Sequence, residues 1–99
     1  MPHYIVEITY RALLSRIDQT VAAHRAHLQI GYDRGLLLCS GPQQPRQGGI
    51  LIARAPTRAE LDAFIAQDPY RLEELADYRL IEFQPVKHQP WAAEWFTAG

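Results

Sequence analysis

The sequence predicts an α+β fold whose strands and helices follow the order βαββαβ. Short β-branched and aromatic runs alternate along the chain with stretches in which apolar residues recur every three or four positions. Glycine and proline clusters separate these segments. At 99 residues the chain has room for one domain. The order is the ferredoxin-like arrangement, which predicts a four-stranded antiparallel sheet with two helices on one face.

The first strand and the first helix are predicted at residues 4–10 and 13–34. The strand is a β-branched and aromatic run without a breaker, which suits the middle of a sheet. The helix is expected to end at Gly35, because glycine adopts the left-handed conformation without a Cβ clash. Helical spacing gives the helix an inner face formed by Leu13, Ile17, Val21, His24, Leu28 and Gly31.

The second and third strands are predicted at residues 36–40 and 49–55. The second strand is a short apolar run that ends at Gly41-Pro42, which is typical of a buried strand. The polar and turn-rich residues 43–48 join the two strands.

The second helix is predicted to begin with a capping box, in which Thr57 and Glu60 bond free backbone N–H groups. It stops before Pro69. Residues 71–76 predict another short helical turn, and the alternating residues 78–83 predict the fourth strand. The inner face of the second helix is formed by Leu61, Phe64 and Ile65.

We expect residues 1–86 to form the domain and residues 87–99 to form a C-terminal tail. The tail contains Trp91, Trp95 and Phe96, so we expect it to pack on the domain or on a partner subunit. The strands are apolar on both sides, and a second copy of the sheet is the simplest cover for the face without helices. The sequence therefore predicts a homodimer with its sheets packed together, a dimeric α+β barrel.

The formal net charge of -1 and the scattered arginines do not favour nucleic acid or an anionic membrane as partner. Cys39 is the one cysteine, so a disulfide within the chain is excluded and a reducing compartment fits. We expect its thiol to be packed in the core. No segment approaches the roughly 20 apolar residues that span a bilayer, and no export signal is visible. We therefore expect a cytoplasmic protein.

His24 is the most informative residue, because a titratable imidazole occupies an apolar helical stripe. An imidazole with its ordinary pKa of about 6.5 acts as an acid or a base near neutral pH. Asp68 is a candidate partner that would hold one ring nitrogen and leave the other free to act. The alternatives are a core histidine bonded to the main chain and an aspartate that opens a turn before Pro69.

Ser40 and Tyr70 are the candidate substrate-binding residues. Ser40 ends a predicted strand, where it either bonds a substrate hydroxyl or caps the Gly41-Pro42 turn. Tyr70 either lines a pocket or serves in packing. His27 lies one helical turn from His24, but no further Cys/His cluster has ligand spacing, so no metal site is predicted.

An ordered set of short motifs resembles the YciI family over residues 4 to about 86. The matching motifs are His24, the Gly35-Leu-Leu-Leu segment, Ser40-Gly41-Pro42 and Asp68-Pro69-Tyr70.

The resemblance implies a ferredoxin-like fold, a dimer and an active site built from His24 and Asp68. It also implies a reaction without a cofactor, since one characterised activity in the family is elimination of chloride from a chlorinated hydroxyhydroquinone. Many members have arginine where this chain has Val21; if that arginine binds an anionic group of the substrate, we expect a different substrate here.

The resulting hypothesis is a cofactor-independent lyase or isomerase that acts on a hydroxylated cyclic or aromatic compound. His24 would move a proton, Asp68 would hold its tautomer, and Ser40 and Tyr70 would position the substrate. The alternative is a non-catalytic ligand-binding or interaction module of the same fold. A cofactor-independent monooxygenase of the related dimeric barrels ranks below both.

Overall fold

The computed structural model describes residues 1–98 and has the predicted α+β architecture. Its main elements are β1 His3–Tyr10, α1 Leu14–Asp33, β2 Leu37–Pro42, β3 Gly48–Arg54, α2 Arg58–Ala66, α3 Pro69–Leu72 and β4 Ala76–Phe83. The C-terminal tail adds a 3-10 turn, Pro90–Ala92, and a short helix, α4, Ala93–Thr97. Within residues 1–98, no helix is both long enough and apolar enough to cross a bilayer.

The described strands form a four-stranded sheet in the order β2-β3-β1-β4. Every neighbouring pair is antiparallel. On the central strand β1, Val6 lies opposite Leu51 of β3 and Leu80 of β4. This order and these directions confirm the predicted ferredoxin-like fold.

The hydrophobic core lies between the sheet and the helices. Alternate residues of β1 (Tyr4, Val6 and Ile8) are buried against it, because successive strand side chains point to opposite faces. The helices contribute Ile17, Leu28, Leu61, Phe64 and Ile65 to the same cluster. The inner face predicted for the second helix is therefore confirmed.

The inner face of α1 differs in part from the predicted one. Thr20 is buried and accepts a hydrogen bond from Arg16 Nη1 at 2.7 Å, whereas Leu13 lies before the helix and is exposed. Gly31 is needed for helix packing, since a Cβ there would lie 2.5 Å from Phe64 Cζ. Gly35 ends the helix region with a φ of +72°, as predicted.

The prediction of a strand at residues 36–40 is confirmed by β2, but the prediction that the whole strand is buried is wrong. Leu36 and Leu37 are buried, but Cys39 and Ser40 are exposed, so the expected packed core thiol is wrong as well. The cause is that β2 is an edge strand whose pairing with β3 shifts register after Leu37. After the shift, Cys39 and Ser40 lie on an edge strand that has a neighbouring strand on one side only, so their side chains have fewer neighbours.

The short helix α3 begins earlier than predicted, at Pro69. The Asp68 side chain caps it by accepting from the Tyr70 N–H, and the fixed φ of Pro69 suits its first position. The cap therefore places a buried carboxylate in the connection between α2 and β4.

Apolar side chains also occupy the sheet face away from the helices, which we call the outer face. Ile5, Ile52 and Ile81 lie in register across its middle, and Ile81 is 39% exposed. At one end the tail reaches the sheet. There the Arg54 guanidinium lies 3.7 Å from the centre of the Trp95 ring and donates to the Trp95 carbonyl at 3.0 Å.

Candidate functional site

His24 and Asp68 lie in direct contact although they are 44 residues apart. The imidazole projects from the inner face of α1, and its Nδ1 is 2.9 Å from both carboxylate oxygens of Asp68. Because an ionised carboxylate only accepts hydrogen bonds, Nδ1 carries the hydrogen. The contact therefore selects one tautomer of the imidazole.

The Asp68 carboxylate is held on more than one side. Its Oδ1 accepts from the Tyr70 N–H at 3.0 Å, and its Oδ2 accepts from the Tyr78 hydroxyl at 2.7 Å. Asp68 is only 1% exposed, so these bonds replace the water that a carboxylate would otherwise bind. Bonds of this kind to a charged acceptor fix the carboxylate both in place and in orientation.

Tyr78 is a site residue that the sequence reasoning missed. It lies on β4 opposite the buried Ile8, two positions before Leu80, and so shares the inner face of the sheet. A tyrosine within an otherwise apolar alternation indicates that its hydroxyl has a buried partner. That pattern was present in the sequence, but it did not identify Asp68 as the partner.

Burial keeps both tyrosines of the site protonated. Burial, and then the charge of Asp68, raise the pKa of Tyr78 far above its ordinary value. Burial is also the main cause that raises the pKa of Tyr70 to about 12. The hydroxyl of Tyr78 therefore remains a hydrogen-bond donor to Asp68 throughout the neutral pH range.

The Tyr70 ring fixes the imidazole from its flat side. The two ring centres are 4.0 Å apart and the planes differ by 10°, which is a stacked arrangement. His24 is held at one ring edge by Asp68 and over one ring face by Tyr70. The edge that carries Nε2 is the one left for contact with other molecules.

His24 also lines an open cavity of about 410 Å³. Its volume falls within the range of small-molecule sites, which is roughly 300–1,000 Å³. The wall combines apolar side chains with polar and charged groups. The lining includes Ile8, Val21, His24, Leu28, Leu51 and Tyr70, together with Tyr10, Asp18, Arg25, Ser40 and Arg46.

Ser40 lines the same cavity from β2. It lies opposite Leu51 in the sheet register, which turns its side chain to the face that carries the helices. Its Oγ is 2.6 Å from the hydroxyl of Tyr32 at the end of α1. The structure thus brings all four predicted site residues, His24, Asp68, Ser40 and Tyr70, to one region, while Tyr32 was not foreseen.

His27 has a different environment from His24. Its Nε2 donates to the Phe64 carbonyl at 2.8 Å, and its ring stacks on the Phe64 ring with centres 4.3 Å apart. The two histidines therefore bind separate partners. Among residues 1–98, no group of three or more His, Cys, Asp or Glu side chains is arranged to hold a metal ion.

The fold and the site define a class, a ferredoxin-like α+β protein with a buried His–Asp pair beside an open cavity. The chain belongs to the family of YCII-related domains, whose model matches residues 1–84. This confirms the resemblance drawn from the motifs. A comparison with curated protein sequences finds no match.

A solved structure of 5-chloro-2-hydroxyhydroquinone dehydrochlorinase from Burkholderia phenoliruptrix AC1100, in complex with 2,5-dihydroxybenzoquinone, has the same fold. It is 24% identical to this chain, with a TM-score of 0.66. The match covers 88% of this chain and 95% of that one. At this identity the likeness establishes the fold, and the chemistry of this chain must be argued from its own residues.

Proposed function

We propose that this chain is an enzyme that moves a proton on a small hydroxylated cyclic or aromatic compound. The observation that carries the proposal is the contact of His24 Nδ1 with Asp68 at 2.9 Å, while the same imidazole lines a cavity. This geometry leaves Nε2 as the group that exchanges a proton with a bound molecule.

The proposed reaction is an elimination or an isomerisation. Nε2 takes a proton from the substrate, and the electron pair of the broken bond stays on the substrate. In an elimination that pair forms the new double bond, the leaving group departs with its own bonding pair, and the imidazolium then releases its proton to solvent. In an isomerisation the protonated imidazole returns the proton to another atom. Asp68 stabilises the imidazolium that exists between these steps.

Ser40 and Tyr70 position the substrate in this proposal. A hydroxyl has one hydrogen and can accept two bonds, so Ser40 can accept from Tyr32 and still donate to a substrate oxygen. The Tyr70 ring forms a wall of the cavity next to His24. A planar ring compound placed against that wall would lie beside Nε2.

Two further facts support the substrate class. The cavity volume of about 410 Å³ accommodates one substituted ring, since even a cavity of about 150 Å³ can hold benzene. The similar structure belongs to an enzyme named for a hydroxyhydroquinone and holds a dihydroxybenzoquinone. Proton transfer of this kind uses side chains alone, so the proposal includes no cofactor.

We further propose that the enzyme works as a cytoplasmic homodimer whose subunits pack their outer faces together. Ile81 and Leu38 are 39% and 38% exposed, and burying such apolar side chains stabilises an interface. Trp91, which is 83% exposed in the tail, would gain cover from the same partner. Sedimentation of wild type and Ile81→Glu tests this: we expect a dimer that the substitution dissociates, and a monomeric wild type would contradict it.

The function is tested by turnover of 5-chloro-2-hydroxyhydroquinone and other polyhydroxylated or halogenated aromatics. We expect His24→Gln to lower kcat by about 10²–10⁴-fold, the usual contribution of a placed acid/base group. His27→Gln is the matched control on the same helix and should keep the wild-type rate. Equal rates for wild type and His24→Gln would remove His24 from the mechanism.

If the wild type binds these compounds but forms no product, the chain is a ligand-binding module instead. His24→Gln should then preserve the affinity, because glutamine retains a polar group in that part of the wall.

A further inference from the structure

The side chains that line the cavity include more positive charges than negative ones. Its lining contains the guanidinium groups of Arg25 and Arg46 and the carboxylate of Asp18. The ionised Asp68 lies behind His24 and does not line the cavity, so with His24 neutral the lining residues themselves carry one positive charge in excess. In a concave site, such an excess attracts anions more strongly than it would on a flat surface.

Arg46 is already engaged within the chain. Its Nη2 donates to Asp18 Oδ1 at 2.6 Å, and its guanidinium lies 5.9 Å from the centre of the Tyr10 ring. The Asp18 bond raises the pKa of Arg46, which keeps the guanidinium charged. Most of its charge is thus compensated, and the contacts hold it at the side of the cavity.

Arg25 has no comparable engagement. It directly follows His24 on α1 and lines the cavity, yet within residues 1–98 its side chain makes neither a hydrogen bond nor an ion pair. It is one helical turn beyond Val21, which lines the same wall. Its five N–H donors are therefore available to a molecule bound beside His24.

The other lining residues favour a ligand with an apolar, planar body. Ile8, Leu28 and Leu51 supply apolar surface, and the Tyr70 ring supplies a flat face. A ligand that satisfies both parts has a planar apolar body and a negatively charged group at its edge. Guanidinium binds a carboxylate with two parallel hydrogen bonds, which favours this geometry over a neutral hydroxyl.

We propose that the ligand of this cavity is a small planar anion, a ring carboxylate or an acidic enol, and that Arg25 is the residue that selects its charge. The inference rests on the proposed function only in using the same cavity. The proposed function did not specify the charge of the substrate; here the substrate is an anion, and Arg25 is the residue that binds its negative group. The negative charge that develops when Nε2 removes a proton would lie near the same cation.

The test compares two compounds that differ only in a carboxylate, 2,5-dihydroxybenzoate and hydroquinone. Their dissociation constants are measured by calorimetric titration with wild type, Arg25→Gln and Arg34→Gln. Arg34 is the matched control, because it follows the same helix and carries the same charge but lies away from this cavity. All three proteins retain His24 and Asp68.

We expect wild type to bind 2,5-dihydroxybenzoate more tightly than hydroquinone, with an affinity that falls as salt is raised. Arg25→Gln should weaken binding of the carboxylate by about five-fold, which is the size of an exposed ion pair, and leave hydroquinone unchanged. Arg34→Gln should alter neither.

The inference is overturned if wild type does not prefer the carboxylate or if Arg25→Gln weakens both compounds equally. It is also overturned if Arg34→Gln produces the same loss, since overall charge would then explain the effect. These outcomes are read from binding alone. They are therefore distinct from a failure of turnover, which would contradict the proposed catalysis and leave the charge preference standing.

Discussion

Two histidines on the same helix show how partners, rather than residue type, determine what a side chain can do. His24 and His27 are separated by three positions on α1, and each ring stacks on an aromatic side chain at about the same distance. His24 gives Nδ1 to the carboxylate of Asp68, whereas His27 gives Nε2 to the carbonyl of Phe64.

The difference between the two partners has a chemical consequence. A carboxylate stabilises a positive charge on the imidazole far better than a main-chain carbonyl does. In the proposed mechanism Asp68 therefore stabilises the His24 imidazolium, and Nε2 is the nitrogen that exchanges a proton. His27 uses Nε2 to join α1 to α2, which makes it part of the helix packing.

Among the residues that hold His24 in place, the largest effect should follow from Asp68→Asn. The amide keeps the shape but removes the charge and places N–H groups opposite the donors of His24 and Tyr78. We expect kcat to fall by up to about 10⁴-fold, as when the carboxylate that orients a catalytic histidine becomes an amide. We also expect the free energy of unfolding to fall by about 3 kcal/mol, the cost of disrupting a buried charged network.

Turnover and urea unfolding of Asp68→Asn measure these two effects. A variant with wild-type rate and wild-type stability would contradict the claim that the carboxylate of Asp68 gives His24 a role that His27 lacks.

Tyr78→Phe should have a smaller effect, because it removes one donor and leaves the charge of Asp68 in place. We expect a loss of about 1–2 kcal/mol in the free energy of unfolding, since a carboxylate loses a buried hydrogen bond. Tyr32→Phe is the matched control, because its hydroxyl bonds the exposed Ser40 and its loss should cost less than about 1 kcal/mol. Equal losses in the two variants would contradict a special role for the Asp68 contact.

Alkaline pH should lower the stability of the fold through the buried tyrosines Tyr70 and Tyr78. Burial raises the pKa of Tyr70 to about 12 and raises the pKa of Tyr78 as well, whereas tyrosines of the unfolded chain ionise near pH 10. The folded state therefore binds more protons above pH 10, and stability must fall as pH rises.

We expect the free energy of unfolding to change little through Tyr70 and Tyr78 below pH 10 and to decrease between about pH 10 and 12. Urea unfolding across that range measures the decrease, and Tyr78→Phe should make it shallower. An unchanged slope in that variant would show that Tyr78 is not protected from ionisation in the folded state.

The sequence predicted the fold because each element has a local pattern, such as the helical spacing around His24 and the alternation of residues 78–83. The apolar stripe around His24 indicated that its imidazole has a polar partner, and the resemblance to the YciI family, rather than a local pattern, indicated Asp68. Their catalytic roles stay a prediction.

Other features depend on contacts between distant segments and could not be read from local patterns. The burial of residues 36–40 was overestimated because edge position and a register shift leave Cys39 exposed. The roles of Tyr78 and Arg25 were not predicted either, because both depend on contacts with distant parts of the chain. An alternating strand does not say which carboxylate its tyrosine meets, and an exposed arginine on a helix resembles any solvated charge.

The most direct measurement is of the imidazole ¹⁵N chemical shifts of the neutral rings of His24 and His27 in one protein sample. Because Asp68 binds Nδ1 of His24 and the Phe64 carbonyl binds Nε2 of His27, the two rings should have opposite tautomers. We predict that the neutral ring of His24 carries its hydrogen on Nδ1, while the neutral ring of His27 carries its hydrogen on Nε2. A neutral His24 ring with its hydrogen on Nε2 would contradict the proposed acid/base pair.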